Sequence, residues 1–170
     1  MPELFWIAGP WRGSLAIAKR PRAGDWLHDE MAAWRSANLD VAVSLLEPDE
    51  ASDLGLKDEA TAAEGNGLRF ISFPIRDRGI PISDPDVLSC IATLASELEH
   101  GRNVAVHCRQ SIGRAGMIAA AVLILSGATP TEAIRTVSAA RGVPIPETAE
   151  QRQWLERLPA HLPVSSRQVR

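Results

Sequence analysis

Val104-Ala105-Val106-His107-Cys108-Arg109-Gln110-Ser111-Ile112-Gly113-Arg114-Ala115-Gly116 passes through three kinds of residue within a few positions, and its reading decides the fold. Val104 to His107 is a short apolar run of strand-forming type. Cys108 to Arg114 breaks that run with polar residues and a glycine, and Ala115 to Leu125 is small and apolar, ending at Ser126-Gly127. That order reads as buried strand, tight loop, buried helix, a unit of the α/β layer folds. A loop at such a junction has free backbone N–H groups and lies at the positive end of the helix dipole, which makes it an anion site by construction. Cys108 stands at its mouth, where the groups that attract phosphate also stabilise a thiolate. Arg114 opens the helix and can turn its guanidinium back over the loop to grip two phosphoryl oxygens at once.

Outward from this unit, strands and helices alternate. From Asp84 to His100 the residues Val87, Ile91, Leu94 and Leu98 recur at helical spacing, with Gly101 as terminator and Cys90 on the inward face as a core thiol. Leu39 to Leu46 is the nearly continuous apolar run of a strand covered on both faces, and Leu68 to Ile75 is a further strand. Between them Pro48 to Glu64 is acidic and Ala-rich, helical in pieces broken near Gly55 and ended by Gly65-Asn66-Gly67. At the start, Phe5 to Ala8 and Leu15 to Ala18 read as a hairpin, followed by a helix that Asp25 caps and that buries Leu27, Met31 and Trp34. Thr129 or Thr131 starts a helix to about Arg141, and Thr148 starts the last, through Trp154 and Leu155 to Leu158. Trp11 is expected to be the most exposed of the five tryptophans. The expectation is one α/β domain over residues 1–170, a mostly parallel central sheet flanked by helices with a helical C-terminal third, and a loose tail at about 160–170.

The composition narrows the function. The 170 residues are 45% hydrophobic and 23% charged, enough to bury a core and too apolar for a disordered chain. A net charge of −3 is the wrong sign for a general nucleic-acid binder, so any basic site is local. Two cysteines do not make a disulfide framework. The opening Met-Pro-Glu-Leu-Phe-Trp lacks the basic region of a secretion signal, and the apolar run Met117 to Leu125 falls short of the roughly 20 residues of a membrane helix. A cytoplasmic protein without membrane insertion is expected, its oligomeric state left open.

Val106 to Gly116 closely resembles the signature of the cysteine-dependent protein tyrosine and dual-specificity phosphatases: His, Cys, five residues, then Arg. Phe73-Pro74-Ile75-Arg76-Asp77-Arg78-Gly79-Ile80-Pro81 resembles the mobile loop that supplies an aspartic acid in those enzymes, particularly in the kinase-associated phosphatase branch. Ile145 to Gln151 resembles their segment bearing a water-positioning glutamine. The resemblance implies a dual-specificity phosphatase-like fold and a two-step reaction without metal or cofactor. Cys108 would attack phosphorus and Asp77 would serve as acid and then base. The backbone of Arg109, Gln110, Ser111, Ile112 and Gly113, with Arg114, would bind the phosphate, and His107 and Gln151 would have supporting roles. The implied substrate is a phosphorylated protein or peptide, phosphotyrosine in a deep site and phosphoserine or phosphothreonine as well in a shallow one. Two positions depart from the pattern. Ala115 replaces the usual Ser or Thr that helps the sulfur leave, and Ser111 replaces a usual glycine, which strains the loop.

Each residue also has a plainer reading. Asp84 and Asp86 compete with Asp77 but follow Pro81 and suit the start of the next helix. His107 reads as a buried structural residue bonded to backbone near the loop rather than as a base. Gln151 reads equally as an exposed helical glutamine, and Arg20 and Arg22 as surface charges or as a border to the cleft. The rival functions are a phosphate-reading module with negligible turnover, a rhodanese-like sulfurtransferase, and a lipid phosphatase. The last is disfavoured because the loop lacks the paired lysines often seen in phosphoinositide phosphatases.

Overall fold

The computed structural model describes residues 1–158; the tail expected at about 160–170 lies outside the described residues. Its sheet has five strands, β1 (Leu4–Ile7), β2 (Leu15–Ala18), β3 (Val41–Ser44), β4 (Arg69–Ser72) and β5 (Val104–His107), in the spatial order β1-β2-β5-β3-β4. β1 pairs antiparallel with β2 as the hairpin, and every other pairing is parallel. Around it lie α1 (Leu27–Ser36), α2 (Pro48–Asp53), α3 (Glu59–Gly65), α4 (Asp84–Glu99), α5 (Gly113–Leu125), α6 (Pro130–Arg141) and α7 (Ala149–Arg157). The mixed, mostly parallel α/β sheet and its helical final third agree with the sequence.

The central strands read as unbroken apolar runs because both faces are covered, yet side chains still alternate in size. Val41, Val43, Val104 and Val106 join the core built with α4 to α7, whereas Ala42 and Ala105 face Leu27, Met31 and Trp34 of α1 and Ala63 of α3. The small residues let α1 and α3 lie close to the sheet. α5 is buried at every position from Gly113 to Ile124, as its lack of a polar face requires.

Register places the chemistry. Ser44 is level with Ser72 on one side and with His107 on the other, so β3, β4 and β5 end at one edge of the sheet. The segments that leave them, into α2, into Phe73–Pro81 and into the Cys108 loop, therefore emerge side by side at the carboxyl edge, where open α/β sheets bind ligands.

Two details differ from expectation. Asp25 caps no helix: Gly24, at φ +63, turns the chain into a 3-10 turn over Gly24–Trp26, which places Asp25 inside that turn ahead of α1. Trp11 is half-buried, its Nε1 donating to Ser126 Oγ at 2.8 Å, and Trp6 and Trp26 are the exposed tryptophans instead.

The glycines of α5 clear space rather than allow unusual backbone. A Cβ at Gly116 would stand 2.9 Å from Ile145 Cβ, and one at Gly113 would stand 3.0 Å from Glu147 Cβ. The segment from Ile145 to Gln151 thus lies directly across the start of α5. Gly116→Val should overpack this contact and cost about 1–3 kcal/mol, read as a melting temperature lower by several degrees.

Candidate active site

Cys108 follows β5 directly and is 3% exposed. The loop then bends through Arg109, Gln110, Ser111 and Ile112 into α5. Ser111 adopts φ +57, the left-handed conformation that glycine takes more cheaply, so the strain expected at this position is present. Its buried hydroxyl offsets part of that strain by donating to the Ala18 carbonyl at 2.5 Å, and Oγ lies 3.5 Å from the Cys108 N–H. A cavity of about 310 Å³ opens over the loop, lined by Asp77, Arg78, Cys108, Arg109, Gln110, Gly113, Arg114 and Glu147.

Arg114 begins α5 and is 1% exposed, so its charge needs partners on every side. Its Nη1 and Nη2 donate to the two carboxylate oxygens of Glu50, both at 2.8 Å, in the paired geometry that is strongest for arginine. Nη1 also donates to the Ile75 carbonyl at 2.9 Å, and Nη2 to Asp77 Oδ1 at 3.1 Å. Burial works against the cation, but the bond to Glu50 and the negative charges of Cys108, Glu50 and Asp77 hold its pKa above the ordinary value. The bond from Arg114 in turn pulls the Glu50 carboxyl below the usual carboxylate range, burial opposing.

Asp77 reaches the cavity from the loop after β4, and contacts with the C-terminal segment tie that loop down. Arg78, at φ +61, pairs with Glu147 at 2.8 Å, and Gln151 Nε2 donates to the Gly79 carbonyl at 3.0 Å. Asp84 and Asp86 lie in the first turn of α4, which Ser83 caps.

Gln151 is fully buried, which corrects its reading as an exposed helical residue. Its Oε1 accepts from the Glu147 and Thr148 N–H groups at 3.1 and 3.3 Å, so with Nε2 on Gly79 the amide is engaged behind the cavity wall, which Glu147 lines. His107 is fully buried as expected, with Nδ1 3.4 Å from the Cys108 carbonyl. Its Nε2 lies 2.6 Å from Glu59 Oε2, a partner the sequence did not suggest. Cys90 is core, its thiol pushed up to about 11 by burial, so it is not a nucleophile near neutral pH.

Glu50 and Glu59 both fall in the acidic, Ala-rich segment that reads as helical in pieces, with no site residue singled out in it. Two signals were available. Glu50 is the N3 residue of a capping box that opens just past a strand, at the edge where the Cys108 loop must emerge. Glu59 stands three residues after Leu56 and four before Ala63, on the helix face that is buried.

The family model described as polymorphic toxin system, DSP-PTPase phosphatase matches residues 16–128, from β2 through α5. No curated protein matches the chain. Among solved structures, kinase-associated phosphatase carrying a serine for its catalytic-site cysteine superposes with a TM-score of 0.83 at 18% identity, over 95% of this chain and 98% of its own. Tk-PTP in its active form gives 0.76 at 25% identity, over 94% and 97%. PTPMT1 in complex with PI(5)P gives 0.74 at 16% identity, over 96% and 99%. The family match spans more than half of the chain and takes in Asp77, Cys108 and Arg114; the chain belongs to the DSP-PTPase phosphatases of polymorphic toxin systems, a phosphatase family.

Proposed function

We propose that the protein hydrolyses phosphomonoesters on a phosphorylated protein or peptide through a cysteinyl-phosphate. The observation that carries the reading is the convergence of Cys108, Asp77 and Arg114 on one cavity at the carboxyl edge of the sheet. In the first step the Cys108 thiolate attacks phosphorus, the phosphorus–oxygen ester bond breaks, and Asp77 gives its proton to the departing oxygen. In the second, water attacks phosphorus, Asp77 takes a proton from it, and the sulfur–phosphorus bond breaks to return the thiolate and release phosphate. Phosphotyrosine is the favoured substrate, because a cysteine only 3% exposed is met most easily by a phosphate held away from the backbone by an aromatic ring.

Arg114 supports both steps. Glu50 and the Ile75 carbonyl occupy Nη1, and Glu50 and Asp77 share Nη2, so the edge formed by Nε and Nη2 is the one left to receive phosphoryl oxygens once Asp77 moves aside. An incoming phosphoryl dianion takes over this edge and displaces Asp77 from the guanidinium. The buried methyl of Ala115 offers no hydroxyl to the departing sulfur, so breakdown of the intermediate is the slower step.

Cys108→Ser should abolish release of phosphate from an aryl phosphate and from a phosphotyrosine peptide. Asp77→Ala should lower turnover about 10²-fold or more, and least for substrates with good leaving groups. Activity on phosphoinositide vesicles but not on phosphopeptides would overturn the substrate assignment, and peptide binding without phosphate release would favour a reading module. Stopped-flow kinetics with an aryl phosphate should show a burst of the phenol product, with Ala115→Ser raising the slower rate that follows; a single rapid phase would contradict slow breakdown.

Glu50 generates a pH prediction. Its carboxyl titrates lower in the folded protein than the ordinary 4.5, so its contribution to stability is present above that value and is lost as pH falls through the lower, folded one. Glu50→Gln should cost about 1–3 kcal/mol near neutral pH, with the gap to the wild type narrowing below pH ~4.5 in denaturant melts.

A further inference from the structure

The Cys108 loop is gripped from outside as well as from within. Arg20 Nη1 donates to the Arg109 carbonyl at 3.0 Å, Arg141 Nη2 to the Gln110 carbonyl at 3.4 Å, and Arg141 Nε to the Ser111 carbonyl at 2.9 Å. Three consecutive loop carbonyls thus accept from guanidinium groups. The arginines come from distant parts of the chain, Arg20 just after β2 and Arg141 from the last turn of α6, where it stacks over the Phe5 ring at 4.2 Å. With Lys19 and Arg109 they line a second cavity of about 360 Å³, completed by Gln110 and Ile112 and without an acidic side chain.

A trans peptide points its carbonyl and its N–H to opposite sides. The carbonyls of Arg109, Gln110 and Ser111 belong to the same peptide planes as the N–H groups of Gln110, Ser111 and Ile112. Fixing the carbonyls therefore aims those N–H groups away from the arginines, and among the described residues none of the three donates a hydrogen bond within the protein. A charged donor on a carbonyl also polarises its peptide group and strengthens the N–H at the other end. We propose that Arg20 and Arg141 are positioning residues that orient and polarise the loop amides for the phosphoryl group without touching it. The inference rests on the reading of Cys108–Arg114 as the phosphate site.

Tungstate binding by calorimetry, with aryl phosphate kinetics on the same preparations of the full chain, tests it. Arg141→Met should weaken tungstate binding about tenfold and lower kcat/KM to match, with Arg20→Met giving a smaller loss in the same direction. Arg141→Lys should recover part of the affinity, since it restores the charge but not the fork. Arg135→Met, an exposed arginine of the same helix, should leave both readouts unchanged. If Arg141→Met does not fold, Arg20→Met decides, because that side chain is exposed and makes one of the three bonds. Variants that bind tungstate as tightly as the wild type, whatever their melting temperature, would overturn the positioning role. A wild-type protein that binds no tungstate would instead overturn the phosphate-site reading beneath it.

Discussion

A guanidinium almost closed off from water has to remain charged at the mouth of this sheet, and much of the local architecture answers to that requirement. Arg114 is held by both oxygens of Glu50, by the carbonyl of Ile75 and by Asp77. Those partners come from α2, from the segment after β4 and from the loop that bears the candidate acid, so one buried cation ties together the chain segments leaving β3, β4 and β5. Breaking such a contact leaves a buried charge uncompensated, which is costly, whereas the intact set balances it. The groups that keep Arg114 ionised also fix the orientation of its guanidinium beside the cavity.

The same economy of place governs the loop. The register of β3, β4 and β5 brings three chain exits to one edge. The glycines of α5 let the segment from Ile145 to Gln151 cross the helix start, and that segment reaches the Asp77 loop through Glu147 and Gln151. On the opposite side Arg20 and Arg141 occupy the outward carbonyls. The Cys108 loop is therefore braced from the sheet, from the C-terminal helix and from its own outer rim, while its cavity side stays open. Strain at Ser111 is tolerated because a buried hydroxyl bond to Ala18 and the bracing arginine both act on that one residue.

How much of this was legible in the sequence follows from what sequence can encode locally. Cys108 and Arg114 are six positions apart on one loop and helix start, and Asp77 sits between a strand end and a proline, so their juxtaposition follows from chain connectivity. The alternating pattern of strands and helices likewise yields the α/β sheet. Glu50 and Glu59 were hidden because a run rich in Asp and Glu ordinarily faces water, and only the three-dimensional return of α2 and α3 onto the sheet edge buries these two. Gln151 and Arg20 were ambiguous for a related reason: their partners are backbone carbonyls far along the chain, at Gly79 and Arg109, and no side-chain pattern marks a carbonyl. Asp25 and Trp11 were misplaced by turn geometry, the first by the positive φ of Gly24 and the second by a hydrogen bond to Ser126.

The claim at the centre is chemical: phosphorus passes through a covalent bond to one sulfur. Rapid acid quenching during turnover of an aryl phosphate, followed by peptide mapping with mass spectrometry, reads that bond directly. The account predicts a phosphoryl group on the peptide containing Cys108, rising to a steady level while substrate lasts and missing from the peptide containing Cys90. Sustained phosphate release with Cys108 unmodified at every quench time would contradict it.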